Sequence, residues 1–100
     1  MKLEKLSEAI RLARAHWDLD AIDLLLLAQI AQQMKDKEPV TIMLLVDNCD
    51  AASPATNHAR IKSLFKRGYL KKVESTESLR YKVLEKDDRF DKFLADLARI

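Results

Sequence analysis

Gly68 is the only glycine in a chain of 100 residues, where average usage supplies about seven. One glycine excludes the Gly-rich loops that cradle phosphates, the dinucleotide fingerprint and the GxSxG nucleophile elbow, each of which needs several. It also weighs against an all-β domain, whose tight turns call for positive φ at many positions. Helices are what remains. Apolar residues make up 48% of the chain, enough for one modest core, so a single domain over residues 1–100 is expected.

Other absences narrow the chemistry. Cys49 is the sole cysteine, so neither an internal disulfide nor a Cys-based zinc site can form, and an isolated thiol of this kind is inert more often than redox-sensing. The start, Met1 to Lys5, lacks the apolar stretch of a signal peptide, and the run Leu24 to Ala28 falls far short of the ~20 residues that span a bilayer. A cytoplasmic protein of a prokaryotic cell or its virus, with no membrane partner, is the expectation. His16 and His58 fall in different helices, and Asp18, Asp20, Asp87 and Asp88 read as helix caps. No enzyme, metal or cofactor is expected.

The apolar spacing sets the element order. Leu3, Leu6, Ile10, Ala13 and Trp17 recur at helical spacing over residues 1–17. Asp18 or Asp20 caps a second helix in which Ile22, Leu24 to Ala28, Ile30, Ala31 and Met34 are apolar on nearly every side, which predicts the most buried helix. Polar residues 35–38 and Pro39 end it. Thr41 caps a short third helix, Ile42 to about Asn48. Ser53-Pro54 then opens a fourth, with a capping serine and proline at the first helical position, and Gly68 closes it.

Beyond Gly68 the period changes from 3.6 to 2. Leu79, Tyr81 and Val83 alternate with Arg80 and Lys82, and residues 70–73 can pair with them around a tip at 74–78. A last helix over residues 87–100 puts Phe90, Phe93, Leu94 and Leu97 on one face. The predicted fold is mainly α with a small β-hairpin wing (α+β): a helical core over 20–68, the wing over 69–84, and a terminal helix at either end.

Two tightly joined helices followed by a hairpin make a helix-turn-helix with a wing. At Ser53-Pro54-Ala55-Thr56, Arg60-Ile61-Lys62, Leu64 and Gly68-Tyr69-Leu70, the chain resembles the winged-helix transcriptional regulators of the MarR superfamily. The Arg-Ile-Lys-x-Leu segment is also similar to the Lrp/AsnC regulators. The resemblance spans roughly residues 19–84 and implies a homodimeric regulator that sets two recognition helices in adjacent major grooves of double-stranded DNA. Its wing signature, an acidic residue two before an arginine, is only loosely echoed by Glu77 and Arg80. The terminal helices here are shorter than MarR-type ones, which argues against a full cleft for a small-molecule effector. Asn57 stands where the resemblance places an apolar residue.

Charge agrees with that expectation. Residues 53–82 hold eight basic and two acidic groups, a net +6, whereas the whole chain carries +2. Such a concentration is the electrostatic footprint of a phosphate-binding surface. On the fourth helix, Ala55, Ala59, Lys62 and Lys66 lie opposite Ile61 and Leu64, flanked by Thr56, His58 and Ser63. The expected DNA-binding set is Ser53, Ala55, Thr56, His58, Ala59, Lys62, Ser63 and Lys66 on the helix, with Lys71, Lys72, Arg80 and Lys82 serving phosphates from the wing.

The apolar faces of the terminal helices exceed what a domain of this size can cover. Leu3, Leu6, Ile10 and Trp17, with Phe90, Phe93 and Leu97, are therefore the expected homodimer interface, the alternative being that both faces cover the winged-helix core. The alternative function is a winged helix used for protein–protein contact, for example as an accessory subunit of a replication or transcription complex. Glu74 and Glu77 keep that option open, because carboxylates near phosphates are unfavourable.

Overall fold

A computed structural model of the chain describes residues 2–36, 41–74 and 82–100. In chain order these form α1 (Leu3–His16), α2 (Ala21–Lys35), α3 (Ile42–Asn48), α4 (Pro54–Lys66), β1 (Leu70–Glu74), β2 (Lys82–Lys86) and α5 (Asp88–Ala98). The described chain is thus mainly helical with one two-stranded antiparallel hairpin, compatible with a winged-helix-like arrangement.

Side chains at the starts of α2 to α5 explain where those helices begin. The Asp20 carboxylate accepts the Asp23 N–H at 2.9 Å, and Asp23 accepts the Asp20 N–H at 3.2 Å, a reciprocal capping box. Thr41 Oγ1 accepts the Leu44 N–H at 3.2 Å, and Ser53 Oγ accepts the Thr56 N–H at 3.3 Å. Pro54 follows at the first helical position, where a missing N–H costs nothing. At the start of α5 the Asp87 carboxylate accepts the N–H of the next residue, Asp88, at 2.8 Å.

Gly68 ends the run after α4 with φ +83°. The Tyr69 N–H donates to the Leu64 carbonyl at 3.0 Å and the Gly68 N–H to Phe65 at 3.2 Å. These are the two bonds of a Schellman stop, and the apolar contact such a stop favours is available from buried Leu64 and Tyr69. The turn is stitched to α5 by two further bonds, Asp87 N–H to the Tyr69 carbonyl at 3.0 Å and Arg89 N–H to Gly68 at 3.3 Å. A second helix stop, after α1, uses Asp18 in the left-handed region (φ +52°).

The core draws Leu26, Leu27 and Ile30 from α2, Leu45 from α3, Ile61 and Leu64 from α4, Leu70 and Leu84 from the hairpin, and Phe90 and Phe93 from α5. In the hairpin, Leu70 stands opposite Lys86, Lys71 opposite Glu85 and Lys72 opposite Leu84. Glu74, expected at the tip, is instead the last residue of β1, opposite Lys82; Leu79, Tyr81 and the rest of the expected tip lie outside the described residues, as do positions 37–40.

As the sequence predicts, α2 is the most buried helix among the described residues, with Asp23, Leu26, Leu27 and Ile30 buried, although Leu25 and Ala28 are exposed. The expected dimer interface needs correction. Phe90 and Phe93, expected at a dimer interface, are 1% and 2% exposed and belong to this chain's own core. Trp17, expected there too, is half-buried and packed edge-on against Tyr69 and Phe93, with ring centroids 6.4 and 5.6 Å away. Its indole N–H donates to the Asp96 carboxylate at 3.0 Å. An aromatic node at the meeting of three segments buries more surface than a helix stripe at a rim, which is why these rings turn inward.

Candidate nucleic-acid interface

The chain between α3 and α4, residues 49–53, is held by one side chain. Asn57 is 0% exposed. Its Nδ2 group donates toward the carbonyls of Val46 at 3.3 Å, Cys49 at 3.0 Å and Ala52 at 3.2 Å. Three acceptors around one amide fix which end is nitrogen, since the oxygen would be repelled there. A buried amide from α4 therefore satisfies the end of α3 and the turn between them. An apolar residue at this position fills the same space but leaves those carbonyls unpaired. The amide oxygen, Oδ1, finds no partner.

The other face of α4 looks outward. Ala55, His58, Ala59, Lys62 and Lys66 are exposed, and Thr56 and Ser63 are half-buried. No carboxylate occurs anywhere between Pro54 and Lys66. Ser53 is exposed, but its hydroxyl and that of Thr56 already bond each other at 3.1 Å, so both serve the cap first. This brings five of the expected contact residues onto one continuous solvent face.

The hairpin contributes less than its sequence promises. Adjacent residues of a strand point to opposite faces. Lys72 lies over the Phe65 ring of α4, with Nζ 5.1 Å from the centroid, whereas Lys71 is 4.0 Å from the Glu85 carboxylate across the strand pair. Only Lys72 is thus held close to α4. Arg80 lies outside the described residues, as does the side chain of Lys82.

Arg60 and Arg67, both counted in the basic segment, are occupied elsewhere. The Arg60 guanidinium hydrogen-bonds the Asp20 carboxylate and sits 3.6 Å from Asp23. Arg67 donates to the Trp17 carbonyl at 3.0 Å and to the Asp18 carbonyl, and lies 3.6 Å from Asp23. These groups line a polar cleft of about 390 Å3 with Arg14. The two arginines tie α4 to the start of α2; they orient the helix and are not spare charge for phosphates. Their spacing of seven residues was the available signal, because i and i+7 share one helix face, here facing acidic residues 18–23.

Burial is the largest influence on Asp23, which is 2% exposed, and pushes its pKa above 3.8; the neighbouring Asp20 charge adds to this, against the pull of the Asp20 N–H and both arginines. Burial acts on Asp20 as well, but the Asp23 N–H and the Arg60 guanidinium outweigh it and hold its pKa below the ordinary value.

Neither a scan against protein-family models nor a search of curated proteins returns a match to this chain. Among the described residues no helix is long and apolar enough to cross a membrane.

Proposed function

We propose that this chain is a winged helix-turn-helix protein that binds double-stranded DNA, with α4 in the major groove and the hairpin beside it, and serves as a small transcriptional regulator. One observation carries the reading: the exposed face of α4, where small Ala55 and Ala59 adjoin His58, Lys62 and Lys66 with no carboxylate on the helix. Small residues allow the backbone near base edges, the lysines neutralise phosphates, and His58 and Ser63 supply polar groups beside them. The Asn57 clamp supports the reading too, because a fixed angle between α3 and α4 is what presents such a face rigidly.

Fluorescence anisotropy of a labelled random duplex tests it. Four lysines (Lys62, Lys66, Lys71 and Lys72) are described as exposed in the segment. If all four meet phosphates, log K falls with log salt at a slope of about −3.6, a loss of about 150-fold per chain between ~50 and ~200 mM. Ala59→Glu puts a carboxylate at the centre of the face and is expected to abolish binding with the fold intact. Normal binding by that variant would show that α4 does not enter a groove, and no binding at ~50 mM salt would defeat the reading altogether. A protein-binding winged helix is favoured by a different observation, the exposure of Met43 and Leu44 side by side on α3.

A further inference from the structure

The face that α4 turns outward has few of the groups that read bases by hydrogen bonding. Adenine is read by an amide, cytosine by a carboxylate, and guanine best by an arginine fork. The sole amide of α4, Asn57, is buried and spends its N–H groups on three carbonyls. The helix contains no Asp or Glu, and its sole arginine, Arg60, is held by Asp20 and Asp23. The hydroxyls of Ser53 and Thr56 bond each other at 3.1 Å. What the face does present is methyl groups. Ala55 and Ala59, one turn apart, are both exposed, with His58 beside them and Lys62 a turn beyond Ala59.

We infer that Ala55 and Ala59 each pack against the C5-methyl group of a thymine, so that the protein selects duplexes with two thymines two base-pair steps apart. The inference rests on the DNA-binding reading above and names the bases that α4 reads. Four residues of helix rise about 6 Å, and successive base pairs lie about 3.4 Å apart. Side chains at i and i+4 therefore meet edges two steps apart when the helix lies along the groove. The thymine methyl is the one apolar feature that the base edges show in the major groove. An alanine pressed on any other edge covers polar atoms and gives them no partner, which costs free energy; on thymine it removes two methyl groups from water. Small side chains also let the helix come close enough for those methyls to touch. The thymines can stand on either strand, since the methyl projects into the same groove from both. Lys62 and Lys66 serve phosphates in this arrangement, fixing register without choosing a base.

Selection of bound duplexes from a random pool by the full chain, followed by fluorescence anisotropy on the selected site, tests this. The selected sequences are expected to share two thymines two steps apart. Replacing either by deoxyuridine removes the methyl and keeps every hydrogen bond. Each replacement is expected to weaken binding about fourfold, the worth of one buried methyl, and both together about fifteenfold. Uracil at other positions should leave affinity unchanged. Ala59→Gly separates contact from helix propensity. If Ala59 is only a good helix former, the variant loses affinity equally for the thymine and uracil duplexes; with a methyl–methyl contact, the uracil penalty at one of the two positions vanishes in the variant. Selected sites without the thymine pair, a wild type indifferent to uracil there, or a variant that keeps both penalties overturns the inference and leaves DNA binding standing. Failure to bind any duplex at ~50 mM salt instead defeats the DNA-binding reading, and this inference with it.

Discussion

Asn57 gives the sharpest test of how α3 and α4 are joined. Its amide faces three carbonyls at 3.0–3.3 Å, and only the bond to Cys49 is buried throughout; those to Val46 and Ala52 are partly open to water. Asn57→Leu keeps most of the volume and removes the donor. Stranding one buried carbonyl costs about 1–3 kcal/mol, the two part-open ones about 0.5 each after rehydration, and relief of the unpartnered Oδ1 returns about 1. The net expectation is a loss of about 1–3 kcal/mol. Asn57→Ala adds an unfilled space and should lose about 1 kcal/mol more. For a domain of 100 residues each kcal/mol lowers Tm by about 4–8 °C, so the alanine variant should melt about 8–30 °C below wild type. Asn57→Asp should be the least stable at pH 7, because an acceptor replaces a donor among three acceptors. Thermal and urea unfolding followed by circular dichroism measure the series. If Asn57→Leu equals or exceeds wild type, the position is ordinary core and the clamp argument is wrong.

Further outcomes are accessible by the same methods. Gly68→Val should destabilise by about 1–2 kcal/mol through backbone strain alone, since a Cβ there meets no atom within 4 Å; an unchanged urea midpoint would refute the helix-stop assignment. Asp18→Gly, at the other left-handed stop, should stabilise by up to about 1 kcal/mol, and a loss would show that the side chain matters more than φ. Asp23 has a folded pKa above 3.8, so its contribution is fully present below the unfolded value and is lost as pH rises through the folded one. Asp23→Asn should therefore gain on wild type as pH rises from below the ordinary carboxylate range to neutrality, and a constant difference over that rise would contradict it. Lys62→Ala should lower the magnitude of the DNA salt slope by about 1; an unchanged slope would remove Lys62 from the phosphate contacts.

Local signals wrote most of the fold into the sequence. Asp20, Thr41, Ser53-Pro54 and Gly68 act within three or four residues of themselves, so their effect needs no knowledge of the rest of the chain, and the helices begin and stop where these residues stand. The exposed face of α4 was equally legible, because helical geometry converts spacing into direction. Arg60 and Arg67 were not: their charge is visible in the sequence, but its neutralisation depends on Asp20 and Asp23 some forty residues earlier. The role of Asn57 was hidden for a similar reason. A polar residue on an inner face gives notice of a partner, but the partners are backbone carbonyls and carry no sequence signature.

The scarcity of glycine weighed against an all-β chain, apolar spacing assigned the helices, and the one glycine marked the stop at residue 68. The concentration of lysine and arginine over residues 53–82 was likewise a property of the sequence. Which of those charges face solvent, and which apolar faces stay bare, was decided only in three dimensions. Phe90 and Phe93 close this chain's own core while Leu3, Leu6, Ile10 and Leu25 remain outside it. Periodicity gives each helix a face, but burial depends on which faces meet, and that is settled by packing between segments distant in the chain.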